Sequence, residues 1–313
     1  MIRVRFSSIG MLVLLGCGLA RPALAYNGNI PRMMWDCEKA LAEQNYSRAK
    51  KLVSLALLHL KDEGFTWTER YLENLTEDRD GATPEEAAYI DAETAYVKLR
   101  LEWLTELRSE NEWWKEQLEL PDAGVLGPAA AQIRRKLGAL SACVSPEIEA
   151  TSVELETGDF DKAHELRGQA LGLWKAELAE IASRVDRLTR TLDTATPEER
   201  TAAEACIAYL TRWQEEATHH TDALEKECQA ETDPAMLLGR MRYYAAREEF
   251  TRPLKGATSS KVHLSELYQR KAEWAIAKGA PRPPESTTLE PPAWFCSTVL
   301  QPLWWAFPRE LPE

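Results

Sequence analysis

The residues easiest to credit with chemistry are the five histidines, His59, His164, His219, His220 and His263. Imidazole binds metals and moves protons near neutral pH. Only His219 and His220 are close in sequence, and neighbours on a helix point about 100° apart, so surface or partly buried side chains are expected there in preference to a functional pair. The chain has no Gly-x-Ser-x-Gly, His-Glu-x-x-His or phosphate-loop pattern. Asp78-Arg79-Asp80-Gly81 resembles part of a calcium loop, but Thr76 and Ala87 stand at the first and twelfth ligand positions, where carboxylates are needed. Fifty acidic residues are too many for any carboxylate pair to stand out. No catalytic, cofactor-binding or metal-binding set is therefore expected.

Thiols give a similar result. None of Cys17, Cys37, Cys143, Cys206, Cys228 and Cys296 forms a Cys-x-x-Cys pair, so zinc knuckles, thioredoxin-like motifs and haem attachment lack support. Cys206 and Cys228 fall on one expected helix about 33 Å apart, too far to bridge each other. Cys296 could bridge either one, or all three could stay reduced.

Aromatic residues suggest binding instead. The 11 tryptophans include Trp103, Trp113, Trp114, Trp174, Trp213 and Trp274 on expected helices. They can fill gaps between long helices, or line a groove for a peptide or glycan. Trp294, Phe295, Trp304 and Trp305 sit in a proline-rich tail and are candidate partner-binding residues; the rival expectation is that they pack on the helical body.

The elements that must position these groups read as helices. Thr83-Pro84-Glu85-Glu86 and Thr196-Pro197-Glu198-Glu199 have the form of capping boxes with proline in the first turn. Ser145-Pro146-Glu147 predicts a further start, and Gly127-Pro128 and Asp233-Pro234 are weaker ones. No Gly or Pro interrupts 198–232, so one long helix is expected there. Its apolar stripe includes Cys206, Tyr209, Trp213, Ala217, His220 and Leu224; Tyr89, Ala92, Tyr96, Trp103 and Leu107 repeat that spacing after Thr83.

Two stretches match each other. Between 82–96 and 195–209, eight of 15 positions are identical at an offset of 113, from Ala82/Ala195 to Tyr96/Tyr209. Upstream, Leu41/Leu155, Ala49/Ala163, Leu52/Leu166, Ala56/Ala170 and Lys61/Lys175 match at 114. The offset changes by one residue across what the sequence predicts to be a loop. Gly158-Asp159-Phe160-Asp161-Lys162-Ala163 with Leu166 and Ala170, and Gln44-Asn45-Tyr46-Ser47-Arg48-Ala49 with Leu52 and Ala56, resemble the second helix of a tetratricopeptide repeat. That resemblance implies helix-hairpin packing and a partner-binding role. The expected fold is all-α: two tandem copies of a unit of about 113 residues, tetratricopeptide-like or built of long-helix hairpins. The expected divisions are a signal peptide (1–25), unit 1 (26–143), unit 2 (144–254), a C-terminal helix (255–279) and a Pro/aromatic-rich tail (280–313).

Export follows from the first residues. Arg3 and Arg5 precede an apolar run, and Ala23-Leu24-Ala25 offers a cleavage site. Leu14-Leu15-Gly16-Cys17 has the form of a lipobox, in which Cys17 would carry a lipid, the chain's one expected membrane contact. The expected location is the periplasm or, with a lipid, the outer membrane. A net charge of −12 opposes nucleic-acid binding. The leading expectation is an exported scaffold that binds another envelope protein. The alternatives are an immunity protein or inhibitor, whose acidic surface meets a basic toxin or enzyme, and an envelope enzyme with an unrecognised site.

Overall fold

A computed structural model describes residues 29–121, 124–251 and 264–284, and among them every regular element is helical. The chain is all-α, with repeat-like packing. Helix α1 (Asn29–Ala42) leads into a rod made of α2 (Tyr46–His59), a π-helix (Leu60–Phe65) and α3 (Thr66–Arg79), followed by α4 (Pro84–Glu119). Next come α5 (Leu126–Glu156), α6 (Phe160–Thr191) and α7 (Pro197–Ala230), then α8 (Pro234–Thr251) and α9 (Leu264–Ala277).

Both capping boxes are formed. Thr83 N–H donates to Glu86 Oε2 at 2.8 Å, and Glu86 N–H donates to Thr83 Oγ1 at 3.3 Å. Thr196 and Glu199 repeat this at 2.9 and 3.3 Å. The turns before α2 and α6 also correspond. Gln44 and Gly158 take φ of 59° and 67°, and the next residues, Asn45 and Asp159, cap the helices by accepting from Arg48 N and Lys162 N.

Helices α5, α6 and α7 pack on one another, whereas in the first half the rod packs on α4 and α1 lies against both α2 and α5. This placement of α1 joins the halves: Cys37 and Leu41 share a buried cluster with Trp114 of α4, Ile133 of α5 and Tyr209 of α7. Helix α9 packs on α8.

One expectation is corrected. Ser145-Pro146-Glu147 starts no helix but lies inside α5, so the division expected at residue 143 falls within a continuous helix. Pro146 cannot donate to the preceding turn, but Ser145 Oγ donates to Ser141 O at 2.7 Å, and Cys143, Val144, Glu147 and Ala150 are buried against neighbouring helices. The loop expected between the two offsets is the turn at 80–83, and the π-helix lies before it, joining α2 to α3. Thr66 and Thr68 donate to the carbonyls of Lys61 and Gly64 at its wide turn. Of the two expected forms the hairpins take the long-helix one: α4 to α7 span 36, 31, 32 and 34 residues, each too long for half of a 34-residue repeat. The leader, Cys17 and the tail residues Trp294, Phe295, Trp304 and Trp305 lie outside the described residues.

A candidate binding cleft between the two longest helices

Helices α4 and α7 meet where Trp114 faces Tyr209, their ring centroids 6.2 Å apart. Beyond that contact, residues 103–110 of α4 and 212–220 of α7 border a cavity of about 410 Å³. Exposed Thr105, Glu106, Ser109, Glu215 and His219 form its mouth. Its apolar wall takes Met34 from α1, Leu140 and Val144 from α5, Trp174 from α6, and Trp103 and Trp213 from the bordering helices. The helical spacing that buries one face of α4 and α7 is what brings these indoles inward.

At one end stands a charged group. Lys136 Nζ lies 2.7 Å from Glu38 Oε1 and 2.6 Å from Glu216 Oε2. Tyr209 donates its hydroxyl to Glu38 Oε1 at 3.3 Å. Burial pushes the Lys136 ammonium down, but Glu216 and Glu38 outweigh it and hold it above its ordinary range. Glu38 itself is raised, because burial exceeds what Lys136 returns. Glu110 lines the same end and is pushed up to about 8, first by burial and then by the charge of Glu216, against Lys136 and Arg212. It is partly reached by solvent, and the carboxylates of Glu216 and Glu38 both act on it. Trp114 Nε1 donates to it at 3.4 Å.

At the other end the polar groups meet one another. Trp174 Nε1 donates to Glu147 Oε1 at 2.7 Å, and His220 Nε2 lies 3.0 Å from the same oxygen. The two rings stand 4.6 Å apart.

Of the residues singled out in the sequence, Trp103, Trp174, Trp213, His219 and His220 come together here. Trp113 stands against Trp114, and Trp274 against Phe160, and neither lines the cavity. His164 pairs with Glu231 at 3.0 Å, while His263 lies outside the described residues. Cys37, Cys143, Cys206 and Cys228 are free thiols. Burial pushes Cys143 and Cys228 up to about 12, so neither is a ready nucleophile. Among the described residues no group of His, Cys, Asp and Glu is arranged to hold a metal ion. Sequence reasoning missed Lys136, Glu38, Glu110 and Glu216. A signal did exist: Lys136 interrupts the apolar series Ala129, Ile133, Leu140, Val144, and Glu38 stands within Met34, Cys37, Leu41.

Two further ion clusters tie helices together. Glu154 and Glu231 hold Arg167 and Lys271, fixing α9 to α5, α6 and α7. Glu93 accepts from Tyr71 and Tyr243 and lies 3.4 Å from Arg247, fixing α8 to α3 and α4. Both are enclosed by protein and read as structural.

Compared with known proteins, the chain matches no family model, no curated protein and no solved structure.

Proposed function

We propose that the chain is an exported helical scaffold that binds another protein of the cell envelope, gripping it at the cleft between α4 and α7. The observation that carries this reading is the cavity itself: about 410 Å³, open to solvent and walled by Trp103, Trp174 and Trp213. Buried indoles beside a concave opening are the usual anchors of protein recognition. The leader supports export, through cleavage after Ala25 or lipidation at Cys17.

Photo-crosslinking in the source cell tests the binding claim. A benzophenone residue placed at Ser109 or His219, both exposed at the mouth, is expected to give a discrete adduct with an envelope protein. One placed at exposed Glu85, at the start of α4, serves as the control. Adducts equal from all three positions, or from none, would overturn the reading. Intact-mass analysis of the envelope fraction tests export: the mature chain should begin at Tyr26 or at a lipidated Cys17, and retention of Met1 would refute it.

A further inference from the structure

We infer that the cleft between α4 and α7 takes a peptide-bond amide flanked by an uncharged, apolar side chain. This rests on the cleft being a binding site and commits to the chemistry of what enters.

The wall asks for an acceptor. Trp103 and Trp213, 5% and 1% exposed, both line the cavity. The indole Nε1 of each is buried and finds no acceptor among the described residues, and Nε of Arg212, on the same wall, finds none either. An indole N–H can only donate. A buried donor left unserved costs more than an ordinary hydrogen bond contributes, so a guest oxygen that reaches these groups recovers that loss. Glu110 adds a donor and not a charge, because with its pKa at about 8 it holds its proton at neutral pH.

The same wall offers an acceptor. Glu216 Oε2 takes Lys136 at 2.6 Å, whereas its Oε1 is buried and has no donor. An amide meets both needs, its carbonyl oxygen accepting from the indoles and its N–H donating to Glu216. An ester of the same shape could only accept. An alkylammonium would leave the indoles unserved. A carboxylate would meet like charge, from Glu216 inside and from Glu106 and Glu215 at the mouth. Met34, Leu140 and Val144 favour a hydrocarbon side chain beside the amide, where the hydroxyls of a sugar would lose water without gaining partners.

Calorimetric titration of the full chain uses N-methylpentanamide, with methyl pentanoate, pentanoate and pentylammonium as its ester, anionic and cationic counterparts. The amide is expected to bind at one site, about tenfold tighter than either ion and severalfold tighter than the ester. No saturable amide binding, or binding no tighter than that of any one counterpart, overturns the inference. Benzothienylalanine in place of Trp103 or Trp213 keeps the shape of the ring but puts sulfur where the N–H was. Each replacement should weaken amide binding severalfold and leave the melting temperature level or raised, since the N–H serves nothing within the fold. Lowered melting temperatures with unchanged amide affinity would overturn the inference instead. An acetylated Ala-Leu-Ala N-methylamide should bind more tightly than N,N′-diacetylchitobiose, which carries its amides on a sugar; the reverse order would give the cleft to a glycan and sink the peptide. Tripeptide binding without any crosslinked partner would sink the scaffold reading alone. A crosslinked partner whose capture the tripeptide leaves untouched would sink the amide site alone.

Discussion

Lys136 Nζ lies 2.7 Å from Glu38 Oε1, joining residues 98 apart in the chain and fastening α1 to α5. Both side chains are almost fully enclosed. Lys136→Met would leave Glu38 and Glu216 facing each other without a counter-charge. Removing one partner of a buried pair costs about 3–5 kcal/mol. Urea unfolding followed by circular dichroism should show a loss of that order, and a loss below about 1 kcal/mol would mean the pair is solvated in the native state.

Glu110 sets a pH dependence on the alkaline side. Its folded pKa of about 8 exceeds the ordinary carboxylate value, so between that value and 8 the folded chain holds a proton that the unfolded chain gives up. Stability should fall as pH rises through this window and level off above it. Glu110→Gln should flatten the slope, which unfolding curves at pH 5, 6, 7, 8 and 9 would reveal. Glu38 is raised too and should preserve a residual slope in that variant.

The cluster around Glu231 acts with the opposite sign. Burial pushes Glu154 and Glu231 up, but Arg167 and Lys271 outweigh it and hold both below the ordinary range. Their stabilisation is present above the unfolded carboxylate pKa and is lost as pH falls through the lowered values. Because Lys271 sits on α9, Lys271→Met should weaken the docking of α9 and move acid unfolding to higher pH. Amide exchange across 264–277 should speed up before the rest of the chain responds.

Gly158 and Gln44 share a left-handed turn but not the freedom to occupy it. At Gly158 an added Cβ would press on the guanidinium of Arg270 as well as meet the backbone strain. Gly158→Ala should cost about 1–2 kcal/mol, and Gln44→Gly should cost nothing or stabilise slightly. Melting temperatures that move the same way in both variants would contradict this.

The caps at Thr83 and Thr196 should behave as equals. Thr83→Ala and Thr196→Ala each remove an acceptor for an otherwise free N–H at the start of a long helix. Each should cost about 1 kcal/mol in chemical denaturation, and a difference of several-fold between them would show that local packing, not the cap, governs one of them.

Local signals in the sequence were strong enough to place the helices. Thr83 and Thr196 cap where their type and spacing predict, and the apolar stripes of α4 and α7 are the faces that are buried; the caps at Asn45 and Asp159 emerge from the structure, at the start of the two segments that resemble each other. Pro146 misled because a proline in a first turn and one within a packed helix look alike until their neighbours are known. The cleft was half legible. Its tryptophans and histidines are rare residue types and draw notice, whereas Glu110 and Glu216 are two acids among 50 and acquire meaning only when α4 and α7 converge on Lys136. Periodicity reports which face is inward, not which inward faces meet.

The π-helix at Leu60–Phe65 bears on how the chain's length has been tolerated. The matched segments run at an offset of 114 up to Lys61/Lys175 and 113 from Ala82/Ala195, so the first stretch holds one surplus residue. Threaded into an ordinary helix, that residue would swing everything after it through about 100° and carry Thr68 and Leu75 off the buried side. A single widened turn absorbs the slack, leaving both flanks in phase with what they touch. The rod thus contains its own splice, and trimming one amino acid such as Gly64 should close the wide turn without disturbing either end.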